Sequence, residues 1–102
     1  MSGPVIVNLS KPVMAHGEEV DRLTLRAPTS EDVMQIGLPT LLVPGADGES
    51  VGVEVRTPVV GKYISRLAGV PLSTVKALPF ADFEKCIGAV MGFFNNGDGG
   101  EA

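Results

Sequence analysis

The stretch that decides the fold runs from Leu78 to Phe94, LPFADFEKCIGAVMGFF. Phe80, Phe83, Ile87, Val90, Met91 and Phe94 recur at the spacing of one helical face, and Asp82, Lys85 and Ala89 fall away from it. Pro79 suits the first helical turn, where its missing N–H would have had no partner, and Asn95, Asn96 and Gly97 supply a stop. All four phenylalanines lie here, so the spacing predicts a core assembled around this helix. Asp82 is expected to serve the positively polarised helix start. Gly88 and Gly92, four residues apart, form a smooth strip open to a neighbouring helix or backbone. Each costs roughly 1 kcal/mol against alanine, which asks for compensation.

Upstream, the spacing predicts helices over Pro58–Ala68, closed by Gly69 and Pro71, and over Leu72–Leu78, with Leu72, Val75 and Leu78 three apart. A shorter helix follows Pro28, with Thr29 as its cap, acids in its first turn and Gly37 at its end. Val5–Leu9 and Val20–Arg26 read as strands, the second alternating Leu23 and Leu25 with polar residues. They are joined through the turn MAHGEE, and such a hairpin must lean on something, with the last helix as the obvious support. Between Thr40 and Thr57, two β-rich runs flank Gly45-Ala46-Asp47-Gly48-Glu49 and predict a second hairpin, with Val51, Val53 and Val55 on one face. The other reading of that stretch is an ordered excursion with a mobile tip. The layout is a small α+β domain over residues 1–94, its C-terminal helices packed on the strands, followed by a disordered polar tail over 95–102.

Composition narrows the function classes. The chain has 102 residues, a net charge of −4 and no basic run, which argues against nucleic acid or an anionic membrane as partner. Its longest apolar run is far short of the ~20 residues a membrane span needs. The N-terminus lacks the basic start and apolar core of a signal peptide. A lone Cys86 fits a reducing cytoplasm, and packing is its favoured role over reactivity. The expectation is a soluble intracellular protein.

Catalytic chemistry is poorly supplied. His16 stands in a turn without an orienting partner. One His and one Cys cannot build a zinc site, and Asp47 with Glu49 lacks the spacing of a calcium loop. Asp82 and Glu84 point to different helix faces. Lys62, Tyr63 and Arg66 read as a small solvated basic face. No catalytic, cofactor-binding or metal-binding residue is therefore expected, and no cofactor. Apolar surface at Met91, Phe93 and Phe94 that a small core leaves uncovered would be a partner or self-association site. The alternative is that all of it is core.

Two blocks then resemble a family. Val5 to Val33, VIVNLSKPV…GEEVDRLTLRAPTSEDV, is similar to the opening of the tail assembly chaperones of Mu-like and P2-like contractile-tailed phages. Tyr63 to Phe94 resembles their second signature, a helix, a Leu-terminated turn, an Asp-Phe pair (Asp82-Phe83) and a final Gly-Phe-Phe (Gly92-Phe93-Phe94). The blocks cover about two-thirds of the chain in the family's order. The insert over Leu38–Thr57 is longer than in compact members.

The resemblance implies a phage or prophage protein that binds the tape-measure protein and keeps it soluble during tail assembly. It would act without catalysis, in the host bacterial cytoplasm, and be absent from the mature virion. It further implies two other partners, a frameshifted longer form of the chain and a homo-oligomer. Under this reading Phe80, Phe83, Ile87, Gly88, Met91, Gly92, Phe93 and Phe94 form the core and border the client surface. The alternative is a small structural tail or tube subunit retained in the virion.

Overall fold

A helix in the middle of the chain, Thr57–Ala68, is the element that the core surrounds. It buries Val59, Val60, Tyr63, Ile64 and Leu67, and its neighbours come from both ends of the sequence. In the computed structural model, which describes residues 3–95, the order is β1 Val5–Ala15, β2 Glu18–Leu25, α1 Ser30–Ile36, β3 Thr40–Pro44, β4 Val51–Val55, α2 Thr57–Ala68, α3 Leu72–Lys76 and α4 Phe80–Asn95. The strands form two separate antiparallel hairpins, β1–β2 and β3–β4, so the α+β class and both predicted hairpins stand. Helix α4 continues through Asn95, and the remainder of the expected polar tail, 96–102, lies outside the described residues.

The first hairpin is longer than its alternation predicts. Strand β1 runs on through Ser10-Lys11-Pro12 to Ala15 and turns at His16-Gly17, both with positive φ (54° and 81°), the backbone of a two-residue hairpin turn. Pro12 hid this extension. It is tolerated because the ladder breaks between Asn8 and Val13, where the pairing jumps from Arg22 to Val20. Val7, Val13, Ala15, Leu23 and Leu25 face the core. The hairpin leans on α4 through β1, as expected, and also on α2 through β2, where the Arg26 N–H donates to the Leu67 carbonyl at 3.2 Å. His16 is exposed in the turn, with Nε2 3.0 Å from the Gly69 carbonyl oxygen.

The burial of α4 corrects the predicted face. Its buried residues are Asp82, Cys86 and Val90, whereas Phe80 is 71% exposed and Phe83, Ile87, Met91, Phe93 and Phe94 are half-buried. Phenylalanines therefore flank the core, and β-branched and leucine side chains around α2 with Tyr63 fill it. The cause is the break in β1. Ser10 has no ladder partner, and its N–H and hydroxyl donate to the Asp82 carboxylate at 3.0–3.1 Å. Asp82 is fully buried, and these bonds supply the partners that a carboxylate out of water requires. Lys85 Nζ, 3.7 Å from Asp82, donates to the Asn8 carbonyl and closes the patch. Anchoring Asp82 rotates α4 so that the stripe through Cys86 and Val90 turns inward and Phe80 turns out. Pro79 precedes the helix, its carbonyl accepting the Phe83 N–H at 2.9 Å.

Helix α1 starts as its sequence dictates, with a reciprocal capping box between Thr29 and Asp32. Asp32 does more than cap. Buried, it accepts from the Arg26 guanidinium at 2.8 and 3.2 Å and from Arg66 Nε at 2.5 Å. These bonds tie the end of β2, α1 and α2 together. Arg26 and the Thr29 bonds hold the Asp32 carboxyl well below the usual carboxylate range against the opposing effect of burial. The expected solvated face at Lys62, Tyr63 and Arg66 is thus corrected, since Arg66 is committed to Asp32 and Tyr63 is buried, donating to the Gly37 carbonyl at 2.5 Å. Burial raises the Tyr63 hydroxyl pKa above its ordinary value.

Candidate functional site: an apolar groove between the helices

Three helical segments leave a groove of about 380 Å³. Helix α2 contributes Pro58, Gly61 and Lys62, and α3 contributes Leu72, Val75 and Lys76. Leu78 and the start of α4, with Phe80 and Phe83, complete it. Each part follows from local sequence. Gly69 takes the left-handed conformation (φ 69°) and ends α2, and Pro71 starts α3 back across it. The short α3 is held by Thr74, whose hydroxyl donates to the Met14 carbonyl at 2.7 Å, so Val75 and Leu78 turn inward. Leu72 is left exposed at the rim.

Gly61 matters to the shape. It is buried, yet a methyl group built on it would meet no atom within 4 Å. The absent side chain leaves room in the groove. Phe80 lines the same groove and is the most exposed aromatic residue among the described residues. A large apolar group in water beside an apolar trough is an unusual expense of surface. The rim is cationic, because Lys62 and Lys76 are both exposed.

The expected partner-binding residues are divided by the structure. Phe80 and Phe83 line this groove. Phe93 and Phe94 line a separate shallow hollow with Pro28, Val33 and Met34, at the α1 end of the molecule. There the Phe94 ring packs edge-on against Tyr63, centroids 5.2 Å apart, which makes it part of the fold's support. Ile87 and Met91 are half-buried against the core, and Gly92 is half-buried. Gly88 faces solvent, and among the described residues no other element comes within 4 Å of where its side chain would stand, so the close approach that the sequence allows is not made there. The α2 and α3 contributions carried no separate signal, because their lysines and leucines are ordinary for short amphipathic helices.

The groove contains no catalytic constellation. Its titratable side chains are two lysines, and among the described residues no group of three His, Cys, Asp or Glu gathers to hold a metal. Cys86 lies outside it, buried against the core, and burial pushes its thiol up to about 11, away from the reactive thiolate. No helix among the described residues is long and apolar enough to cross a membrane.

The comparisons agree with the two blocks quoted above and extend across the insert between them. A family model described as "Phage tail assembly chaperone proteins, E, or 41 or 14" matches residues 6–95, which takes in all of β1 but Val5 and every later element through α4. No curated protein and no solved structure matches the chain.

Proposed function

The chain belongs to the phage tail assembly chaperones, and from that membership we propose that its client is the tape-measure protein, bound through the α2–α3–α4 groove. The observation that carries this reading is the exposed Phe80 ring beside an unfilled apolar trough. A long helical client with exposed apolar stripes needs a small binder that covers a short segment at a time. Helix-in-groove recognition does this with anchors spaced three and four residues apart. The cationic rim at Lys62 and Lys76 selects segments whose apolar stripe is flanked by Asp or Glu.

Binding of this kind uses no covalent step and no cofactor. The chaperone holds the client in the host cytoplasm until tail-tube subunits cover it and is then released, so the finished particle lacks it. Of the expected residues, Phe80 and Phe83 make the client contact, while Ile87, Met91, Phe93 and Phe94 keep α4 in place.

Co-expression with the tape-measure protein tests the reading. The wild-type chain is expected to keep the client soluble and to elute with it. Phe80→Asp and Gly61→Leu, one adding charge and one filling the trough, are each expected to abolish co-elution while leaving the chaperone's own melting temperature within a few degrees. Retained co-elution with both folded variants would move the client site elsewhere. Abundant chain in purified virions would replace this reading with the structural-subunit alternative.

A further inference from the structure

The β3–β4 hairpin is an arm with an unpaired edge. Neither strand has a buried residue, and Leu42 (70% exposed) and Val53 (64%) stand in solvent although both are strongly apolar. The pairing fixes which backbone groups are unused. Gly45 N–H donates to the Ser50 carbonyl at 2.7 Å, and Arg56 N–H to the Pro39 carbonyl at 2.8 Å. With the register Val43↔Gly52 and Leu41↔Glu54 between them, Gly52 and Glu54 turn their N–H and C=O groups inward to β3. Val51, Val53 and Val55 therefore turn theirs outward. The opposite edge is guarded, since Pro44 occupies an outward position of β3 and has no N–H to offer.

We propose that the free edge of β4 pairs antiparallel with the same edge of a second copy of this chain, centred on Val53, to form a four-stranded sheet. The occupant follows from self-complementarity. In that register Val53 faces Val53, and Val51 faces Val55, so every outward N–H and C=O of the strand finds a partner. The valines of both copies fall on one face and continue into Leu42 of each, giving a single apolar strip where there were two. In the register centred on Val53, Glu54 lies opposite Gly52 of the second copy. Two-residue slips are disfavoured in both directions: toward the C-terminal end of β4 Glu54 meets Glu54, and toward the N-terminal end Val55 loses its valine partner. The contact is isologous, and it closes as a two-fold dimer.

Amide hydrogen exchange on the full-length chain, across a roughly hundredfold range of concentration, tests this. The Gly52 and Glu54 amides are expected to be protected throughout. Those of Val51, Val53 and Val55 are expected to gain about tenfold or more in protection as the dimer fills. Val53→Pro deletes an outward donor and no bond within the arm, so it is expected to give a monomer by light scattering with the circular dichroism of the wild type. A wild-type chain that stays monomeric at the highest concentration overturns the proposal. So does an unchanged dimer in Val53→Pro, or protection of the three valine amides that appears only when the tape-measure protein is added.

Discussion

The β1–β2 hairpin sends Val7, Val13, Ala15, Leu23 and Leu25 into the core, whereas no residue of β3 or β4 is buried. Both hairpins carry alternating apolar residues, and both are antiparallel with regular turns. The difference lies in what each one meets. The first is tied down along its length, by Asp82 at Ser10, by Thr74 at Met14 and by the Leu67 carbonyl at Arg26. The second is fastened at its base, where the Arg56 N–H donates to the Pro39 carbonyl and Tyr63 holds the Gly37 carbonyl. Alternation thus specifies a strand with one apolar face, and says nothing about whether that face is covered by the chain's own core or left for another molecule.

The contrast can be tested by mutation, and the largest effect should come from the first hairpin. Leu25→Ala, at a fully buried position, is expected to cost about 2–5 kcal/mol in urea unfolding. A loss below ~1 kcal/mol would mean that the hairpin is not part of the cooperative core.

Acid should come next. The Asp32 carboxyl is held below its unfolded value, so its contribution is fully present above about pH 4, the unfolded pKa, and disappears as pH falls through the folded one. Unfolding midpoints are expected to drop on acidification below about pH 4, and Asp32→Asn should be less stable than wild type at pH 7 and flatten that dependence. An equally steep acid loss in Asp32→Asn would assign it to other carboxylates.

Asp82→Ala removes the charge-assisted bonds from the Ser10 N–H and hydroxyl and is expected to cost about 1–3 kcal/mol. Amide exchange should accelerate first around the break in β1 while the β3–β4 amides are unchanged. The smallest effect belongs to the arm. Leu42→Ala, under dilute conditions, should change monomer stability by no more than about 0.5 kcal/mol. A loss like that of Leu25→Ala would show that the arm folds back onto the body in solution.

Much of the candidate site was legible in part. Phe80 and Phe83 stand out in the sequence as large apolar residues near a helix start, and both line the groove. Phe93 and Phe94 carry the same signal and lie at the far end of α4, beside Tyr63 and α1. Residue type and spacing do not separate these pairs, because helical periodicity gives a direction around an axis and no position along a neighbour. Lys62, Leu72 and Lys76 join the groove only because Gly69 and Pro71 fold α3 back against α2.

What the sequence determined by itself was local: the cap at Thr29, the stops at Gly37 and Gly69, the two hairpins and the extents of the helices to within a few residues. These depend on backbone conformations and hydrogen bonds formed within a few residues of one another. The tertiary structure alone decided which stripe of α4 is buried, and it did so through a pair 72 residues apart, Ser10 and Asp82. The hydrogen-bonded burial of the Asp82 carboxylate outweighs the greater apolar area of Phe80, because a buried charge without partners loses its hydration outright while an exposed ring forfeits only part of its burial gain.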